Sequence, residues 1–175
     1  MRTGSALLRL ALLGTILPAA VQAQGPRPED VASIDGITRA VYEAISGPAG
    51  TPRDWARFRP LFHSGARLIP TGRQNGVGVA TSLTVEEFIT RATPGMEGQG
   101  FFEREIGRVA ERYGNVVHFM SAYDSRRTAE DQTPFQRGVN SFQLFWDGTR
   151  WWIVTIFWEA ETPNNPIPER LLRAP

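Results

Sequence analysis

Cysteine is absent from the 175 residues, and so is lysine: all 19 basic residues are arginine. Without a thiol the chain offers no thiolate nucleophile, iron–sulfur cluster or thiolate zinc site. Without lysine it forms no Schiff base, holds no pyridoxal phosphate and completes no phosphate loop of the GxxxxGK[ST] kind. Histidine is scarce too. His63 and His118 are the only two, there is no His-x-His pair or acidic triad, and so no metal and no cofactor is expected. An excess of one charge is also lacking, with 19 basic against 18 acidic residues, and the dispersed arginines form no basic patch for nucleic acid. What is plentiful is core material: 41% hydrophobic and 10% aromatic residues, enough for one ordinary domain.

The first residues read as an address. Arg2 and Arg9 give a positive start, Leu10 to Leu17 is a short apolar run, and Pro18 leads to the small-x-small exit Val21-Gln22-Ala23. These are the three parts of a secretory signal peptide, and the run is too short for a permanent membrane span. Residues 1–23 are therefore expected to be cleaved after Ala23. That leaves a periplasmic or secreted chain with 17 basic and 18 acidic residues.

Beyond a short extended leader (24–28), the period is helical from Glu29 to Ser46, with Val31, Ile34, Ile37, Val41, Ala44 and Ile45 on one stripe. Thr51-Pro52-Arg53-Asp54 predicts a second helix start, carrying Trp55, Phe58 and Phe62 as an aromatic face. Ala66 to Pro70 suits a strand, followed by a turn-rich stretch from Gly72 to Gly78. Thr84-x-x-Glu87 is a capping box for a third helix that Pro94-Gly95 is expected to close. After Gly100 the period becomes two. Residues 101–112 alternate, placing Glu103, Glu105 and Glu111 on one side and Arg104, Arg108 and Arg112 on the other. Val116 to Ser125 is a further strand, and residues 139–146 and 151–158 form a hairpin about Asp147-Gly148. The class is α+β, with a domain over 29–161 and a Pro-rich tail over 162–175.

Residues 37–45 (ITRAVYEAI), Asp54-Trp55-x-x-Phe58, Leu61-Phe62 and the D-G-x-x-W-x-I hairpin within 138–158 carry a family resemblance. Over roughly 29–160 the chain resembles the nuclear transport factor 2-like superfamily, and within it the SnoaL-like branch. The resemblance implies a cone: N-terminal helices packed on a strongly curved antiparallel sheet, with a cavity open at one end. Its members include ketosteroid isomerase, scytalone dehydratase, polyketide cyclases, epoxide hydrolases and domains that only bind or dimerise, so fold does not choose the function.

The same resemblance places Tyr42 like the isomerase's oxyanion tyrosine and Asn140 where the isomerase holds its protonated aspartate. The stretch that would carry the carboxylate base, Arg67 to Thr71, has no acid. Two donors without a base suit holding a carbonyl, unless Tyr42 and Asn140 simply satisfy each other. His118 resembles the strand histidines of dehydratase members. By parity it shares a face with Val116 and Met120, while Phe119, Ser121 and Tyr123 share the other, and the cavity lies under one of the two. Trp55 and Phe58 are candidates for the cavity mouth, or for plain packing. Glu103 and Glu105 read as a solvated strand face. The expectation is an exported domain binding a small, largely apolar molecule through Tyr42, Trp55, Phe58, His118 and Asn140. The alternative is a cofactor-independent lyase, isomerase or cyclase using His118 and Tyr42. The final hairpin is apolar on both faces, which with the resemblance points to a homodimer through the sheet.

Overall fold

The computed structural model describes residues 25–174, so the expected signal peptide lies outside the described residues. The first apolar stripe folds as two helices, not one: a single turn, α1 (Pro28–Val31), and α2 (Ile34–Ile45). Ser33 separates them. Its backbone is extended and its hydroxyl accepts the Gly36 N–H at 2.9 Å, an N-cap that restarts the helix. The second helix begins later than Thr51-Pro52 predicts. Asp54 caps α3 (Trp55–Phe58), which tightens into a 3-10 turn over Arg59–Leu61. Residues 51–53 stay out of the helix, with the Arg53 guanidinium folded back onto the carbonyls of Gly47, Pro48 and Thr51.

Six strands follow: β1 (Phe62–Gln74), β2 (Val77–Ala80), β3 (Phe102–Tyr113), β4 (Val116–Arg126), β5 (Gln136–Trp146) and β6 (Trp151–Ala160). The turn-rich stretch 72–78 is itself the β1–β2 hairpin, reversed at Asn75-Gly76. Between the hairpin and β3 runs α4 (Val85–Gln99), opened by the predicted Thr84/Glu87 capping box. It does not close at Pro94 but continues to Gln99. Donors from outside hold its far end: the Arg53 guanidinium reaches Met96 O and Gly50 N reaches Glu97 O.

The sheet order is β2-β1-β6-β5-β4-β3. Every neighbour pair is antiparallel except β1 with β6, which is parallel, so the sheet is mixed where a purely antiparallel one was expected. The route explains it. The chain crosses through α4 to the far edge and meanders back by three reversals, which brings β6 alongside β1 in the same sense. Val117, Phe119, Phe142, Leu144 and Ile153 are fully buried on the concave face, under Ile37, Val41 and Ile45 of α2.

The Pro-rich tail folds back onto the sheet. It crosses the outer face past Phe157, Val139 and Met120, and its 3-10 turn (Glu169–Leu172) seats Leu171 against β3. Gly107 makes that approach possible, since a Cβ there would lie 2.6 Å from Leu172 Cα.

Candidate functional site

A bulge in β3 decides which side chains enter the cone. The β3–β4 register runs Glu103↔Ser125 and Glu105↔Tyr123, then shifts to Gly107↔Ala122 and Arg108↔Ser121. One extra residue at Ile106 turns the even positions inward beyond it. Glu103, Glu105 and Arg108 therefore share the concave side. The expected separation of glutamates from arginines fails here, and so does the reading of Glu103 and Glu105 as a solvated face. An isolated Gly107 inside a strand pattern was the available signal of a bulge.

Four of the inward polar residues, Asn140, Tyr42, Ser121 and Glu105, form one hydrogen-bonded chain with a fixed direction. Arg108 grips Glu105 through Nε (2.9 Å) and a terminal nitrogen (2.6 Å), leaving that carboxylate only acceptors. Ser121, completely buried, gives its one proton to Glu105 Oε1 at 2.6 Å. It must then accept from the Tyr42 hydroxyl, 2.7 Å away, while Asn140 Nδ2 donates to that hydroxyl at 3.0 Å. The Tyr42 proton is committed within the protein. Burial above all holds its pKa far above the ordinary phenol value, with the Glu103 charge adding to the shift.

Beside this chain lies a cavity of about 180 Å³ between α2, α3, α4 and the sheet. Phe58, Phe88, Phe142 and Trp158 wall it, and Glu103, Tyr123, Gln136 and Asn140 supply its polar end. Desolvation pushes the Glu103 carboxyl up to about 7. Hydrogen bonds from Ser125 Oγ (2.7 Å) and Asn140 pull it down only in part, and Asp124 raises it further. Gly138, opposite Tyr123, leaves room for the phenol: a Cβ would sit 2.6 Å from Tyr123 Cζ. A second, larger hollow of about 510 Å³ opens on the other side of Glu103, between α2 and β3. Its charges are already matched, Arg108 with Glu105 and Asp35, and Arg104 and Arg126 with Asp124. The smaller cavity, apolar with one underserved carboxyl, has the greater demand for a guest.

Of the residues singled out from sequence, Tyr42, Asn140 and Phe58 come together at the cone. Trp55 packs edge-on against Phe58 and Phe88 at 5.5 and 6.4 Å, one layer behind the cavity wall. His118 is on the other face. Its side chain is 54% exposed and lies 3.5 Å from Glu111, because Phe119 and Ser121 are the inward neighbours. The structure thus does not assemble His118 with Tyr42. Among the described residues no group of three or more His, Cys, Asp or Glu is placed to hold a metal ion, and no helix is long and apolar enough to cross a membrane.

Helices on the concave face of an open, curved, mixed sheet define a cone-type α+β domain with an internal pocket. Its fold is a cone-type one similar to that of solved proteins at low sequence identity. A protein of unknown function with a cystatin-like fold from Nostoc punctiforme superposes with TM-score 0.56 at 11% identity, over 78% of this chain and 94% of that one. The β subunit of a proposed aromatic-ring-hydroxylating dioxygenase from Novosphingobium aromaticivorans gives 0.52 at 14% identity, over 82% and 95%. An NTF2-like protein of unknown function from Methylobacillus flagellatus gives 0.48 at 14%, over 74% and 95%. No protein-family model and no curated protein matches the chain.

Proposed function

We propose that this is an exported, SnoaL-like domain that binds a small, largely apolar molecule in the cone cavity. One observation carries the reading: an aromatic-walled cavity of about 180 Å³ with the Glu103 carboxyl and the Asn140 amide at its polar end. An engineered apolar cavity of about 150 Å³ takes up benzene, so this volume suits a single ring with a short polar arm. A fused polycycle would have to push α4 aside. Native mass spectrometry of protein purified gently from cells tests this, by reporting any retained guest, the subunit count and removal of residues 1–23 together. Ile156→Trp, placed to fill the cavity, should abolish retention. A guest still bound by that variant would overturn the reading.

A second reading is a cofactor-independent lyase, isomerase or cyclase. The Glu103 carboxyl favours it, since a group titrating at about 7 in an apolar pocket can both take and return a proton near neutral pH. Glu103 would then replace the expected His118. Loss of turnover in Glu103→Gln with guest binding retained would select this reading over binding alone. Pairing of two copies through the sheet is also part of the proposal. It would use the part of the outer face that the tail leaves open, where Val116 and Phe145 are exposed.

A further inference from the structure

We infer that the cavity's guest is a small amine, its ammonium held by Glu103 and its apolar body lying among Phe58, Phe88, Phe142 and Trp158. This rests on the cavity reading above and narrows it to a ligand class.

The argument is a count of donors and acceptors at the polar end. Tyr42 has given its proton to Ser121, and Asn140 Nδ2 donates to Tyr42 and acts on Glu103. The Gln136 side chain donates to the Tyr123 hydroxyl oxygen, which leaves the Tyr123 O–H free as a donor. The other donors are thus engaged inside the protein. Acceptors are not: the Glu103 carboxylate can take about four hydrogen bonds, and Ser125 and Asn140 supply two. A guest that brings several N–H donors completes the shell of the carboxylate, whereas a carbonyl guest meets only the Tyr123 O–H and leaves that shell open.

Charge points the same way. The titratable groups around Glu103 are Asp35, Tyr42, Glu43 and Arg39 from α2, the last paired with Glu43 at 3.9 Å, Glu105 on its own strand, and Tyr123 and Asp124 from β4. The guanidiniums of Arg104, Arg108 and Arg126 line the neighbouring hollow and are bound to Asp124 and Glu105. Glu103 therefore lacks a cation of its own, which is why burial dominates its titration. An anionic guest would meet a like charge. A cationic one would meet a carboxylate at one end and apolar aromatic walls for its body at the other.

The test is calorimetric titration of the full chain with benzylamine and its neutral isostere benzyl alcohol at pH 8 and pH 6. At pH 8 benzylamine should bind about tenfold tighter than benzyl alcohol, the scale of one charge-assisted hydrogen bond in a partly dry site. Benzylamine stays protonated at both pH values, so its affinity should fall about tenfold at pH 6, where Glu103 takes up a proton. Benzyl alcohol should change little. Glu103→Gln should bring the two ligands within about threefold of each other, and the wild-type pH dependence carries the same information if that variant folds poorly. Benzyl alcohol binding as tightly as benzylamine at pH 8, or a benzylamine affinity independent of pH, would overturn the amine assignment and leave the cavity reading standing. Failure of both ligands to bind would overturn both.

Discussion

Glu103 and Asp30 are two carboxyls withdrawn from water, and their partners send them opposite ways. Asp30, 1% exposed, receives Nε and a terminal nitrogen of Arg57 at 2.7 Å each, and that pairing holds its pKa below the usual carboxylate range despite burial. A lowered carboxyl stabilises the fold above the unfolded-state pKa and loses that contribution as pH falls through the folded one. Asp30→Asn should cost about 2 kcal/mol at pH 7, because it leaves the mostly buried Arg57 with Glu43 alone. The difference from wild type should shrink toward pH 3 in urea unfolding. Glu103 has the reverse sign. Its folded pKa lies above the ordinary glutamate value of 4.5, so the native state binds the extra proton, and stability declines as pH rises from about 4.5 through about 7. Glu103→Gln should therefore be more stable than wild type at pH 8, on the order of 1–2 kcal/mol, and nearly equal to it at pH 4. A carboxyl resonance titrating near 7 and missing from the variant would identify the group directly.

Among the elements, legibility follows how local the deciding interaction is. The Thr84/Glu87 box and the Asp147-Gly148 turn act within a few residues, and both stand where the pattern places them. The end of α4 does not, since what carries it past Pro94 is Arg53, more than forty residues earlier in the chain. Ile106 is the costliest case. A single bulged residue reverses the facing of the rest of β3, and with it the identity of the cavity's carboxyl. The family resemblance singled out Tyr42 and Asn140, and the aromatic helix face singled out Phe58; none of the three depends on that reversal, whereas the facing of Glu103 does. Two predictions belong at this scale. Arg53→Met removes the donors at the far end of α4 and should speed amide exchange over residues 95–99, with little change at its capped start. Gly107→Ala puts a methyl group into the Leu171–Leu172 backbone and should detach the tail, at a cost of about 1–3 kcal/mol. Limited proteolysis near Pro166 reads the second effect.

At the scale of the whole molecule, the outer sheet face is shared. Its apolar residues called for a cover, and the chain's own tail supplies part of it, over Met120, Val139 and Phe157. The alternation of the last hairpin shows that both faces are apolar without saying which segment lies on them. If two copies meet there, Phe145→Glu should shift light-scattering mass from dimer to monomer while leaving the cavity's guest in place. A monomeric wild type would remove the pairing from the proposal.

The parallel seam between β1 and β6 has a kinetic consequence. Leu68 lies beside Ile156, so the middle of the sheet joins the first strand of the chain to the last. The β1–β2 hairpin can form alone, as can the β3–β6 meander, but neither encloses the cone until that long loop closes. Such high contact order belongs to chains that fold in milliseconds to seconds, with cooperative completion late in the process. The cavity should accordingly appear in a single step, with ligand protection rising together with the docking of β1 and not with the early formation of the hairpins.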